Sequence, residues 1–235
     1  MKTSHWLCSG LALFSSASLY AQCNQPPNIV LINIDDLGWT DLSGNGSKYY
    51  ETPNIDRLKT QGIWFQKAYA GASNSAPSRA CMLTGMNTPR HGIYTVGNPD
   101  RGKKELRKLI SYPNREELPE GIQILPQVLK QAGYQTFHVG KWHVTQNPCD
   151  CGIDINIAGN HAGNPSTYFT PYHNKDLTDG PQGEFLTDRL GDEAARLIRK
   201  ADSSLLCHVC RTHSYSGTGR GDREIPQETD NTSTF

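Results

Sequence analysis

Apolar residues fall into short runs separated by polar, glycine-rich stretches. "NIVLIN" (28–33) is a β-branched run that reads as a buried strand, and it ends directly in Asp35-Asp36. "TPNIDRLKTQG" predicts a helix with Thr52 as N-cap, Pro53 at its first position, Gly62 as its stop, and Ile55 and Leu58 facing the core. "IWFQKAYA" (63–70) reads as a strand, and a helix is expected to begin at Pro77. "LPQVLKQAG" (125–133) predicts a short helix closed by Gly133; the strand "YQTFHV" follows and runs into Gly140, Lys141, Trp142 and His143. Residues 145–185 are polar and rich in Gly, Pro and Asn, a long surface excursion of the kind that carries specificity. "TDRLGDEAARLIRKA" (187–201) has a Thr cap, an acidic first half and a basic last turn, with Leu190, Ala194, Leu197 and Ile198 on one face. Strands alternating with helices predict an α/β layered fold with a largely parallel sheet, in which chemistry gathers at the carboxyl ends of the strands.

The amino terminus changes the setting. "MKTSHWLCSGLALFSSASLYAQ" has one lysine, an apolar stretch too short and serine-rich to span a bilayer, then small residues leading to Ala21. It reads as a signal peptide over residues 1–21, so the chain is expected to be exported, to a periplasmic or extracellular space, with no membrane association. Six of the seven cysteines lie in the mature chain, where export permits disulfides, though their pairing is not legible. Lys plus Arg and Asp plus Glu each total 23, which leaves no excess basic charge for sequence-independent nucleic-acid binding.

Three polar clusters could do chemistry. Asp35 and Asp36, at the mouth of a buried strand, would repel each other unless a hard cation such as Ca²⁺ or Mg²⁺ lay between them; an Asp-Asp turn at a helix cap is the plain alternative. Ser75 stands at the start of a helix, whose free amides favour anions, and Arg79 adds forked donors; simple capping by Ser75 and Ser78 is the alternative. Lys141 could neutralise an oxyanion and His143 could donate a proton to a leaving oxygen, against a surface lysine and a packed histidine. Together these are the parts expected for hydrolysis of a tetrahedral anionic ester.

"SAPSRACMLTG" (75–85) resembles the sulfatase signature: Ser75, Pro77, Ser78, Arg79, Met82, Thr84 and Gly85 all fit it. The segment from "NIVLINIDDLGW" through "AYA" is similar to the amino-terminal part of that family, and "GYQTFHVGKWH" to its next block, so that the resemblance covers roughly residues 26–202. It implies the alkaline-phosphatase-like fold, a largely parallel mixed sheet between helices, of which this chain holds the amino-terminal half. It further implies that Ser75 is oxidised to formylglycine by a maturation enzyme that reads Pro77 and Arg79. One hydroxyl of the hydrated aldehyde attacks the sulfur, and the other then expels sulfate as the hemiacetal collapses. By the same resemblance Asp35, Asp36 and residue 75 bind one Ca²⁺, Arg79 holds the aldehyde hydrate, and Lys141 and His143 hold the sulfate and the leaving oxygen of a sulfated sugar or aryl substrate.

The pattern breaks after the helix ending near Ala201. Sulfatases of this type continue with a strand, a Val-His-Thr-Pro-like block and further metal ligands, whereas residues 203–235 read as a polar, patternless tail. Shifted by one base, codons for "RTHSYSG" (211–217) permit Val-His-Thr-Pro-Ile-Gln, which suggests a frameshifted tail following a domain over residues 22–202. A chain so altered is expected to have little or no activity. Two other readings compete: a phosphoester hydrolase of the alkaline-phosphatase type, and a non-enzymatic zinc module using "CHVC" (207–210), His213 and "CDC" (149–151). A serine hydrolase is disfavoured because no Gly-x-Ser-x-Gly elbow is present.

Overall fold

The run at 28–33 forms strand β1 (Ile29–Asp35), one edge of a four-stranded sheet. The structure, a computed structural model, describes residues 26–212; the expected signal peptide, His213 and the remainder of the tail lie outside the described residues. β2 (Gln135–Gly140), β3 (Ile155–Ile157) and β4 (Leu205–Thr212) complete the sheet in the order β1-β4-β2-β3, and every pairing is parallel. The helices are α1 (Pro53–Gln61), α2 (Ser75–Thr84), α3 (Thr88–His91), α4 (Leu125–Gln131) and α5 (Leu186–Lys200).

Each face of the sheet buries a helical stripe. On one, Leu186, Leu190, Ala194 and Leu197 of α5 pack against Phe137 and Val139 of β2 and Cys207 and Val209 of β4. Residues alternate along a strand, so His138 and His208 project from the other face. There both rings meet Trp142, which belongs to a second core built from Ala76, Ala80 and Leu83 of α2 with Ile93, Ile124, Val144 and Ile153. The layered α/β architecture is therefore the one expected.

Several local expectations are corrected. The tail is not patternless over Leu205–Thr212: β4 lies between β1 and β2, and residues 205–210 are buried throughout. A parallel strand covered on both faces needs a near-continuous apolar run, which Leu-Leu-Cys-His-Val-Cys supplies once His208 and Cys210 find partners. Residues 63–70 form no strand; they pair with no strand among the described residues, and Ile63, Phe65 and Tyr69 are exposed. β1 is only half buried, with Val30 and Ile32 47% and 54% exposed, because α5 covers β2 and β4 and not this edge. Leu58 of α1 faces outward for want of a packing neighbour. α2 starts at Ser75, two residues before Pro77, with Asn74 in extended conformation at the N-cap, and α5 starts at Leu186. The zinc reading fails on geometry: three residues apart on a strand, Cys207 faces α5 while Cys210 faces Arg79. Among the described residues, Cys81, Cys149, Cys151 and Cys207 form no disulfide.

Candidate active site

The parallel register brings the ends of β1, β4 and β2 level, with Asn33 opposite Cys210 and Cys210 opposite Gly140. β2 stops at Gly140, whose φ is +96°. A Cβ there would lie 2.0 Å from the carbonyl oxygen of Cys210, so only glycine lets the chain turn this close to β4. Trp142 is fully buried and donates Nε1–H to Thr145 Oγ1 at 2.7 Å. It anchors the turn, and the residues on either side of it, Lys141 and His143, both line one cavity.

Asp35, Asp36, Ser75, Lys141 and His143, five of the six residues singled out in the sequence, line this cavity of about 540 Å³. Arg79, the sixth, lies beneath it, 1% exposed. Its Nη1 donates to the carbonyl oxygen of Lys141 at 2.9 Å; Nη2 donates to Cys210 Sγ at 2.8 Å and pairs with Asp35 Oδ1 at 3.3 Å. Lys141 Nζ holds the other oxygen, Asp35 Oδ2, at 2.5 Å. One carboxylate between two buried cations satisfies the charges that low-dielectric surroundings would otherwise penalise. Asp36 is exposed and left-handed, with φ of 59°. Two cations, Lys141 and Arg101, and two carboxylates line the cavity, and buried Arg79 beneath it adds a further positive charge that favours an anion.

Ser75 is the first residue of α2, where backbone N–H groups are free and the helix dipole is positive. Its Oγ lies 3.0 Å from His143 Nδ1. His143 is 5% exposed and left-handed, with φ of 64°; its backbone N–H donates to the carbonyl oxygen of Asn160 at 3.0 Å. Burial, then the charge of Lys141, pushes its imidazole down to about 4, so the ring is neutral at pH 7.

Sequence reasoning missed the residues packed against His143. His161 stands edge-on to His143 with ring centroids 5.8 Å apart, and its Nε2–H donates to the carbonyl oxygen of Glu116 at 3.2 Å. Gly163 approaches so closely that a Cβ would lie 3.0 Å from His143 Cε1. Asn74, Arg101, Gly163 and Asn164 also line the cavity. The available signal was "GNHAGN" (159–164), a histidine among small and amide residues inside the excursion already marked for specificity.

A sulfatase family model matches residues 27–230. N-acetylgalactosamine-6-sulfatase of Mus musculus is 39% identical over 170 residues, covering 70% of this chain and 31% of the relative. A sulfatase of Formosa agariphila is 42% identical over 159 residues, covering 62% and 29%. The crystal structure of Ps i-CgsB superposes with a TM-score of 0.65 at 26% identity, covering 82% of this chain and 46% of that one. The phosphonate monoester hydrolase of Agrobacterium radiobacter, with a TM-score of 0.59 at 18% identity over 80% of this chain and 41% of its own, shares the fold alone. The chain belongs to the sulfatase family and has its alkaline-phosphatase-like α/β fold. It spans about a third of the length of the curated relatives it matches.

Proposed function

We propose that this chain supplies the sulfate-receiving part of the active site of a hydrolase that releases inorganic sulfate from sulfated carbohydrates. One observation carries the reading: Ser75 opens α2 on a cavity shared with Lys141, His143 and the Asp35–Asp36 pair, with its Oγ 3.0 Å from His143. The substrate class is supported by relatives named N-acetylgalactosamine-6-sulfatase and N-acetylglucosamine-6-O-sulfatase, and by a solved relative in complex with D-glucosamine-2-N,6-O-disulfate.

Oxidised to formylglycine and hydrated, residue 75 supplies a hydroxyl nucleophile for sulfur and a second hydroxyl through which sulfate is released. Lys141 binds the equatorial oxygens of the sulfuryl group. His143, neutral at pH 7, hydrogen-bonds the departing alcohol oxygen and takes up or returns a proton only when an anion beside it raises its basicity. Arg79 acts from below by fixing Asp35 and the backbone of Lys141.

Asp35 and Asp36 offer hard oxygen donors of the kind Ca²⁺ takes, and with residue 75 they would contribute to such a site. Ca²⁺ needs six to eight oxygens, and both oxygens of Asp35 already face cations. No group of three or more metal-ligating side chains occurs among the described residues, so the set present is partial. On this ground the 235-residue polypeptide alone is expected to turn over sulfate esters slowly or not at all.

A maturation enzyme would have to read Pro77 and Arg79 before folding, because both are buried in the folded chain. Export rests on the segment 1–21; no helix among the described residues is long and apolar enough to cross a membrane. Mass spectrometry of the Ser75 peptide, from chain co-produced with such an enzyme, tests the reading. A mass about 2 Da below the serine form is expected, and an unmodified serine in an actively desulfating full-length relative would overturn it.

A further inference from the structure

One buried polar group lies outside the chemistry described above and yet holds part of it. His138 of β2 is fully buried, and its Nε2–H donates to the carbonyl oxygen of Gly140 at 2.9 Å. That carbonyl belongs to the peptide leading into Lys141. The next carbonyl, of Lys141 itself, accepts from Arg79 Nη1 at 2.9 Å. Both peptide oxygens flanking the Lys141 Cα are thus held by buried donors, while its Nζ reaches Asp35 in the Ser75 cavity.

The imidazole is itself locked in place. Its Nδ1 faces His208 Nδ1 of β4 at 3.2 Å, and Trp142 meets the ring edge-on with centroids 4.9 Å apart. Gly159 comes so close that a Cβ there would stand 2.5 Å from His138 Cδ2. The Asn156 side chain in turn bonds both the N–H and the carbonyl oxygen of Gly159, at 3.1 and 2.8 Å. A ring so enclosed cannot turn, and its N–H keeps one direction.

Packing does not account for the choice of residue. A buried imidazole pair carries a desolvation cost that an apolar pair would not, and His208 Nε2 is left without a partner. An aliphatic side chain at position 138 would fill the same space. It would not supply the N–H that orients the Gly140–Lys141 peptide, where Gly140, with φ of +96°, turns the chain out of the sheet.

We infer that His138 is a positioning residue for the anion site: through the Gly140 carbonyl it sets the direction in which Lys141 leaves β2, and so where Lys141 Nζ meets the sulfuryl oxygens. His208 supports it by holding the imidazole from β4. This role rests on reading the Ser75 cavity as the sulfate-receiving site.

Two double variants of the full chain differ only at the position in question. His138→Gln/His208→Leu keeps a side-chain N–H within reach of Gly140, and His138→Leu/His208→Leu removes it. Binding of inorganic sulfate is measured by calorimetry at low salt. Gly140–Lys141 is one of two Gly-Lys pairs in the chain, the other being Gly102–Lys103. Labelling glycine carbonyl carbon and lysine amide nitrogen therefore isolates its peptide by NMR beside an internal reference. The Leu-containing variant is expected to bind sulfate about ten-fold more weakly than the parent, with the Gly140 carbonyl resonance displaced. The Gln-containing variant is expected to bring both back towards the parent, whatever stability each has lost. A role in packing alone would give the two variants equal affinity; that result, or a Gly140 resonance unmoved by Leu, overturns the inference and leaves the Ser75 reading standing. Should either variant fail to fold, the ring-nitrogen resonances of the parent decide: a proton on His138 Nε2 supports the role, and one on Nδ1 removes the donor and overturns it. If the parent does not bind sulfate, both readings fall.

Discussion

Lowering the pH should unfold this chain earlier than its carboxylates alone would dictate, because two buried histidines of the central strands must stay neutral. His138 Nε2–H donates to the carbonyl oxygen of Gly140 at 2.9 Å, which leaves Nδ1 as an acceptor. His208 Nδ1 lies 3.2 Å from it and must therefore carry the proton of that bond. His208 Nε2 is left as a buried lone pair with no partner. A further proton on either ring would sit in the core near Arg79, facing another N–H donor or nothing at all. Burial drives both rings down, His208 to about 4, with the charge of Arg79 adding to the effect. The unfolded chain protonates each ring near the ordinary 6.5. Above that pH the pair contributes nothing to the dependence. As pH falls from 6.5 to about 4 the unfolded state takes up a proton that the folded state refuses, and stability drops. At about 1.4 kcal/mol per unit, His208 alone accounts for about 3 kcal/mol, and His138 adds in the same direction. That is a large share of a typical stability of about 5–15 kcal/mol. Urea midpoints followed by tryptophan fluorescence at pH 7.5, 6.0 and 5.0 measure it. The double variant His138→Val/His208→Leu replaces the pair by apolar groups of similar size, and its midpoint should vary distinctly less over that range. Parallel slopes for parent and double variant would refute the argument.

Other outcomes follow from the geometry of the strand ends. Gly140→Ala places a Cβ against the Cys210 carbonyl at a left-handed position and should cost more than about 2 kcal/mol by chemical denaturation. Asp35→Asn leaves Arg79 and Lys141 as buried cations without their shared counter-charge, and an unfolding free energy lower by about 3–5 kcal/mol is expected in the same assay. Sequencing the coding DNA across codons 205–217 tests the shifted frame; bases that spell Val-His-Thr-Pro in the alternative register are expected, and any other bases there dismiss it.

How much was legible depended on whether local pattern and tertiary burial agreed. The period of α5 and the strand that runs into Gly140 and Lys141 agreed, because Leu190, Ala194 and Leu197 pack in one core with Phe137 and Val139. β4 was harder: its apolar run contains Cys207, His208 and Cys210, and nothing local announces that His138 and Arg79 will partner the last two. Residues 63–70 carry strand-like composition without a strand to pair with among the described residues, which composition cannot reveal. Of the site, Asp35, Asp36, Ser75, Lys141 and His143 were readable because strand ends and helix starts carry local signals. His161 and Gly163 were not, because their role arises only from how a long polar loop folds back on His143.

Arg79 ties β1, β4 and the turn after β2 together from inside the molecule. Substituting Arg79 would therefore loosen the scaffold on which Asp35 and Lys141 are mounted, whatever else it changed. An Arg79 variant would present as missing protein as readily as an altered site, and abundance has to be measured before any other property.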